Sequence, residues 1–238
     1  MRLPIAPLLA ALCLTATFPA HASTPEELEQ LEPGGGEWQV EYYGLVADDD
    51  EDGHSVQVLY GISDRLAVGG EIETGWSGGR LELEGFAPTI LYTFKGAEGA
   101  GIGVGVAVEA ELDDRLRFSG AEARLILEKR NEQWWGQADL IIGHEREDGS
   151  SGQRLAYGWA VNRNLGGELW AGLEASGQIA RFGEPGLLSP AGHFVGPALT
   201  LERGSEEGME AEIGIAWLRR FAGDGPANSA RIFVQLSF

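Results

Sequence analysis

The sequence is poor in cysteine, in lysine and in long apolar runs. Of its 238 residues one is cysteine, Cys13, and two are lysines, Lys95 and Lys129. Cys13 lies in an N-terminal stretch that we expect to be removed, so the mature chain forms no disulfide and has no catalytic thiolate. No later run approaches the roughly 18 apolar residues of a membrane-spanning helix. These absences exclude disulfide-stapled domains, cysteine enzymes and helical anchors.

Residues 1–22 have the features of a secretory signal peptide. Arg2 supplies the positive start, a mostly apolar stretch follows, and Ala20-His21-Ala22 forms a small-x-small cleavage site. An exported chain without a spanning helix belongs to the periplasm, the exterior or an outer-membrane barrel.

Acidic residues greatly outnumber basic ones, with 37 Asp and Glu against 17 Lys and Arg and a formal net charge of −20. So acidic a surface repels nucleic acid and attracts cations. We therefore expect no nucleic-acid partner.

The dominant pattern after residue 36 is alternation of apolar with polar or small residues, which is typical of strands with two different faces. It occurs in twelve segments: 38–46, 56–62, 66–76, 81–94, 102–112, 121–127, 134–144, 155–161, 169–179, 195–201, 209–217 and 230–238. Short connections such as 63–65 alternate with longer ones such as 47–54 and 145–153, as in outer-membrane barrels. The sequence therefore predicts an all-β fold, an antiparallel up-and-down transmembrane barrel of twelve strands at residues 37–238.

A secreted β-sandwich or a soluble barrel would show the same alternation. Its polar face would meet water and be rich in Lys and Thr, whereas the second face here consists largely of Gly, Ala and Glu, which suit a crowded interior. Aromatic residues also stand near the strand ends, as in the belts at bilayer interfaces: Trp38, Trp76, Trp134, Trp217 and Phe238. We therefore expect the outer membrane of a Gram-negative bacterium as the location and its lipid as a partner.

The last predicted strand carries the alternating apolar residues Ala230, Ile232, Val234, Leu236 and Phe238. This pattern resembles the terminal strand of outer-membrane proteins in general. The resemblance implies that these residues are the signal recognised by the barrel-assembly machinery. We also expect this strand to pair with the first, because an unpaired edge finds no water in lipid.

The passage YGISDRLAVGGEIE at residues 60–73 resembles a strand–turn–strand passage of a known outer-membrane family, that of the MetA pathway of phenol degradation. The segments EWQVEYYG at 37–44 and GHFVGPALTLERG at 192–204 are compatible with this resemblance. This resemblance implies a barrel that transports small, often hydrophobic, compounds, and it carries over no catalytic residue.

If the apolar face meets lipid, residues of the opposite parity line the lumen. The charged ones are mostly acidic: Glu41, Glu71, Glu73, Glu82, Glu84, Glu109, Glu111, Glu122, Arg124, Asp139, Glu174, Glu210, Glu212 and Arg231. Such a lumen favours cationic or neutral compounds, which predicts a channel or transporter for small solutes. Twelve strands enclose more space than side chains fill, so a passage or a plug is expected. The alternative is a non-conducting barrel that is structural or binds partners through its acidic loops.

The segment STPEELEQLEPGGG, residues 23–36, precedes the first strand. A Ser or Thr, a proline and two glutamates favour a helix start, and Pro33 with three glycines favours a stop. This predicts a helix of about two turns, too short to be stable alone. We expect a short periplasmic leader, and the alternative is that it enters the periplasmic mouth as a plug.

One acidic loop has part of a metal-binding pattern. Asp48, Asp50 and Asp52, followed by Gly53, match the opening of a calcium loop, in which alternate carboxylates surround the cation. Leu59 stands where the closing Glu belongs, so a solvated loop is the preferred interpretation and a surface Ca²⁺ site the alternative. No other cofactor is expected.

The three histidines of the mature chain give little support to an enzyme. His54, His144 and His193 lie near the predicted external rim. Isolated loop histidines are the simplest interpretation, and a transition-metal site is the alternative. Barrel lipases carry His-x-Ser on one face, whereas adjacent His54 and Ser55 point to opposite faces of a strand. We therefore expect no enzymatic activity, with an outer-membrane hydrolase as the least favoured alternative.

Overall fold

The computed structural model describes residues 25–47, 52–77, 80–97, 101–147, 150–182, 191–204 and 208–238. Its strands are β1 (Trp38–Ala47), β2 (Asp52–Ser63), β3 (Leu66–Ser77), β4 (Arg80–Lys95), β5 (Gly103–Asp113), β6 (Phe118–Arg130), β7 (Trp134–Glu147), β8 (Ser150–Gly166), β9 (Leu169–Phe182), β10 (His193–Gly204), β11 (Glu210–Ala222) and β12 (Asn228–Ser237). Each predicted segment corresponds to one of them. In this part of the chain no helix is long and apolar enough to cross a membrane.

The twelve strands form one closed antiparallel barrel, which confirms the predicted fold class. Strands adjacent in sequence are paired, and β1 pairs with β12 from Gln39↔Ser237 to Ala47↔Ser229. The Trp38 N–H donates to the Phe238 carbonyl at 2.8 Å, and the Phe238 N–H donates to the Trp38 carbonyl at 2.9 Å. The expected pairing of the first and last strands is therefore confirmed, and it leaves no exposed edge at this junction.

Side chains alternate between a packed interior and an apolar exterior. On β6, Ile126 is fully buried inside, whereas Leu125 and Leu127 are each 38% exposed outside. On β4, Leu91 is buried and Ile90 is 53% exposed. An apolar exterior all round is unfavourable in water and suits hydrocarbon, so the pattern is that of a lipid-facing barrel.

Two local features depart from the simple alternation. Glu73 pairs with Gly85 and Thr74 with Leu83, so a bulge at Glu84 shifts the inward parity of β4. The predicted external loop at 145–153 is wrong, because β7 and β8 extend as a hairpin in which Glu145 pairs with Gly152. Antiparallel backbone pairing continues to residues 147 and 150 there.

Candidate functional site: the lumen and the N-terminal segment

The N-terminal segment, residues 25–36, runs into the lumen as irregular chain. The predicted helix is wrong, and the contacts of the segment with the wall favour the plug alternative over a leader outside the barrel. Its backbone N–H groups donate to side chains of the wall instead of to helix carbonyls. Glu26 N–H reaches Ser176 Oγ at 3.1 Å, Glu29 N–H reaches Asp139 Oδ2 at 2.8 Å, and Leu31 N–H reaches Glu128 Oε2 at 3.2 Å. These wall groups satisfy the donors that a helix would satisfy internally.

Wall side chains also bind the carbonyls and side chains of the segment. Arg124 Nη1 donates to the Glu27 carbonyl at 2.9 Å, and the Tyr43 hydroxyl donates to the Pro25 carbonyl at 3.4 Å. Arg154 Nη1 pairs with Glu26 Oε1 at 2.6 Å. Nearer the end of the barrel that carries Ser237, Gln235 Nε2 and the Ser237 hydroxyl donate to Glu32 Oε2 at 3.2 and 3.5 Å. The segment therefore contacts β1, β6–β9 and β12, on several sides of the lumen.

Glycines of the wall make room for the two leucines of the segment. A Cβ at Gly105 of β5 would stand 2.4 Å from Leu31 Cδ2, and one at Gly158 of β8 would stand 2.7 Å from Leu28 Cδ2. Leu31 packs on a buried apolar cluster formed by Leu59, Ala67, Leu91, Ala107 and Ile126. Small residues on the inward face of the wall therefore provide the space in which the leucine side chains of the segment pack.

Arginines on β6, β8 and β12 neutralise many of the lumen carboxylates. We call these inward faces, with those of β7 and β9–β11, the arginine wall. Its ion pairs join Arg124 to Glu122 at 2.8 Å and to Asp139 at 3.6 Å, Arg130 to Glu202 and to Glu212 at 3.4 Å, Arg154 to Glu122, and Arg231 to Glu174. Because an isolated buried charge is costly, loss of either partner of such a pair would destabilise the wall.

The inward carboxylates of β3–β5 are arranged differently. This acidic wall consists of Glu71, Glu73, Glu82, Glu84, Glu109 and Glu111. In the part of the chain that the structure describes, no ion pair joins Glu71, Glu73 or Glu109 to a basic side chain. Glu109 accepts instead a hydrogen bond from the Thr89 hydroxyl at 3.2 Å. A carboxylate surplus is thus concentrated on one side of the lumen.

Every charged residue that was predicted to line the lumen lies on the inward face of its strand. The bulge at Glu84 places Glu82 opposite the inward-facing Gly75, a shift that alternation alone does not reveal. Sequence reasoning missed Arg130 and Arg154, although both follow the inward parity of their strands. It allowed the segment to enter the barrel as a plug, but it did not single out Glu27 and Glu29 as lumen residues.

The other predicted sites are not brought together. Asp48 and Asp50 lie outside the described residues, as does the side chain of Asp52. His54, His144 and His193 are on the separate strands β2, β7 and β10. Among the described residues, no three His, Cys, Asp or Glu side chains are placed to hold a metal.

The outward faces of β2 and β12 carry the remaining residues of interest. His54 Nδ1 lies 2.9 Å from the Tyr42 hydroxyl, whereas Ser55 is buried on the opposite, inward face. The two therefore form no dyad. Along β12, the residues expected to be the assembly signal share the outward face: Ala230, Ile232, Val234 and Leu236, with the exposed Phe238 after them.

Burial changes the ionisation of the segment's own carboxyl groups. Burial, reinforced by the neighbouring carboxylates of Glu212, Glu128 and Glu210, raises the pKa of Glu32 to about 7, although Arg130 opposes the shift. Burial also raises the pKa of Glu29. The carboxyl groups of these glutamates therefore bind protons more tightly when the segment lies in the lumen than when it is in water.

Comparison with known proteins supports the fold. The NanC porin is 9% identical, with a TM-score of 0.55 over 84% of this chain and 98% of that one. The COG4313 outer membrane channel from Pseudomonas putida F1 is 13% identical, with a TM-score of 0.55 over 90% of this chain and 98% of that one. The sequence matches no known family model, and no curated protein is significantly similar. The resemblance to the phenol-degradation family thus stays a prediction, and the fold is similar to that of outer-membrane barrels.

Proposed function

We propose that the protein is an outer-membrane channel for small solutes that its own N-terminal segment closes. The observation that carries this proposal is how the segment is held. Within the described residues, no backbone-to-backbone hydrogen bond joins residues 25–33 to a strand. The segment can therefore leave the lumen without breaking the sheet, whereas a strand of the barrel cannot.

The acidic wall determines which solutes such a channel favours. When the segment leaves, Glu71 and Glu109 face the vacated space, and the arginines opposite stay paired with carboxylates of their own wall. A surplus of negative charge in a narrow, low-dielectric passage attracts cations and excludes anions. Cationic and neutral small compounds are therefore the expected solutes.

A non-conducting barrel is the second candidate function. The packing of Leu31 on the cluster around Leu59 and Ile126 favours it, because this contact stabilises the closed state. Burial of a leucine side chain contributes about 2 kcal/mol.

Planar-bilayer conductance separates the two functions. We expect the complete protein to be closed for most of the time and a variant lacking residues 25–32 to give frequent conductance steps. With potassium chloride gradients, the reversal potential of this variant should indicate potassium over chloride. A synthetic peptide of residues 25–36 should restore closure, whereas a scrambled peptide of the same composition should not.

A heat-modifiability gel must first show that the deletion variant is a folded barrel. A folded variant without conductance steps would establish the non-conducting barrel. A preference for chloride would instead overturn the proposed role of the acidic wall. Gly105→Ala offers a milder test, because its methyl group would displace Leu31 and should raise the open probability of the complete chain.

A further inference from the structure

One rim of the barrel carries an exposed basic residue at each of its hairpins. This is the rim of Trp38 and Phe238, where the short connections lie. The five hairpins β2–β3, β4–β5, β6–β7, β8–β9 and β10–β11 contribute the residues that we call the basic ring: Arg65, Lys95, Lys129, Arg163 and Arg203. Basic residues thus recur at every hairpin of this rim, although the chain as a whole has a formal net charge of −20.

The four ring residues that lie on strands face outward from the barrel, and Arg65 is exposed in the turn between β2 and β3. Lys129 alternates with the inward-facing Glu128 on β6, and Arg203 follows the outward parity of the exposed Leu201 on β10. Arg163 pairs in register with Trp134, which is 47% exposed. Within the described ranges, no ion pair joins any of the five to an acidic side chain. Their charges are therefore directed to the surroundings of the rim.

Aromatic side chains place the ring at the level of a bilayer interface. The Arg163 guanidinium lies 5.6 Å from the centre of the Trp134 ring. Lys95 directly follows Phe94, which is 57% exposed and meets Tyr92 edge-on at 5.1 Å. Belts of this kind mark the boundary between hydrocarbon and headgroups, so the basic groups beside them lie at the depth of lipid phosphates.

The β5–β6 hairpin at the opposite rim shows a contrast with the ring. There the Arg117 guanidinium is 2.5 Å from Asp113 Oδ2, and Arg115 is 3.9 Å from Asp114. The charges of this hairpin are balanced within the protein and leave no surplus for a lipid.

We propose that the basic ring binds the phosphate groups of anionic phospholipids in the leaflet around this rim. Long Lys and Arg side chains lie along apolar surface and reach the headgroups with their charged ends. Arg presents a planar fork that fits phosphate oxygens. The ring thereby gives an otherwise acidic barrel an attractive contact with anionic lipid and fixes its depth. The proposal rests on the proposed membrane location and is independent of conduction.

Flotation with vesicles, followed by native mass spectrometry of the detergent-extracted complete protein, tests the ring. We expect phosphatidylglycerol to be retained in preference to phosphatidylcholine. The double variant Lys129→Gln, Arg163→Gln should lose roughly 30-fold in phosphatidylglycerol affinity, from about fivefold per charge. The double variant Arg115→Gln, Arg117→Gln removes the same charge at the opposite rim and should retain the preference.

Each outcome is decisive. Retained preference in the ring variant, or equal losses in both variants, would overturn the lipid-binding role while leaving the membrane location intact. Failure of the folded wild-type protein to float with vesicles of either lipid would overturn the location and the ring together. A single ring variant, Arg203→Gln, provides the same comparison with a smaller loss if the double variant folds poorly.

Discussion

The arginine wall and the acidic wall enclose one lumen, yet they compensate their carboxylates in different ways. On the first, Arg124, Arg130 and Arg231 form ion pairs within the barrel. On the second, Glu71 and Glu109 have no such partner among the described residues. The N-terminal segment takes its arginine contacts from the first wall, through Arg124 and Arg154. The arginine wall thus supplies the charged contacts of the segment, whereas strands of the acidic wall supply the apolar contact of Leu31. Under the proposed function, the carboxylates of the acidic wall would set the charge of the passage once the segment leaves.

Of the substitutions considered for the two walls, Arg124→Gln should have the largest effect, on both the stability of the barrel and its closure by the segment. Arg124→Gln leaves Glu122 and Asp139 with less compensation and removes a donor from the Glu27 carbonyl. Loss of one partner of a buried ion pair costs about 3–5 kcal/mol. We expect a lower midpoint in heat-modifiability gels together with a higher open probability in bilayers.

Arg231→Gln is the matched control. Arg231 pairs with Glu174 and has no described contact with the segment. We expect a comparable loss of stability with an unchanged open probability. If both variants open the channel equally, the arginine wall acts only on the barrel and the segment is held by other contacts.

The sequence predicts the barrel much better than it predicts the contents of the lumen. Period-two alternation reports which solvent each face meets, so it locates all twelve strands and the inward parity of residues such as Glu122 and Glu212. It cannot report long-range contacts of irregular chain. The sequence of residues 23–36 favours a helix locally, but Ser176 and Asp139, far along the chain, bind its backbone N–H groups. Tertiary contacts thus override the local preference.

The pH should change the balance between the segment lodged in the lumen and the segment released from it. Burial and the carboxylates of Glu212, Glu128 and Glu210 raise the pKa of Glu32 to about 7 in the lodged state, against opposition from Arg130. The lodged state therefore binds a proton more tightly than the released state. Closure is fully supported below the ordinary Glu pKa and weakens as pH rises towards 7, by up to about 3 kcal/mol.

Open probability measured from pH 4.5 to pH 8 checks this linkage. It should increase with pH in the wild-type protein, and Glu32→Gln should flatten the profile and favour closure at high pH. The exposed Glu132, in the β6–β7 hairpin, supplies the control Glu132→Gln, which should keep the wild-type profile. Burial raises the pKa of Glu27 and Glu29 in the same direction, so Glu32→Gln should make the profile less steep without abolishing its slope. An unchanged profile in Glu32→Gln would contradict the assignment to Glu32.

The smallest expected effect concerns the acidic wall and is measured in the variant that lacks residues 25–32. Glu71→Gln and Glu109→Gln each remove one negative charge from the open passage. Across a distance shorter than the screening length, one charge changes the local ion ratio by roughly two- to threefold. Reversal potentials should therefore shift towards weaker potassium selectivity with either substitution. Glu132→Gln changes the net charge equally but lies outside the lumen, so it should leave the reversal potential unchanged. If Glu132→Gln shifts the reversal potential as much as Glu71→Gln does, selectivity arises from the overall charge of the protein. The acidic wall would then have no special role in selectivity.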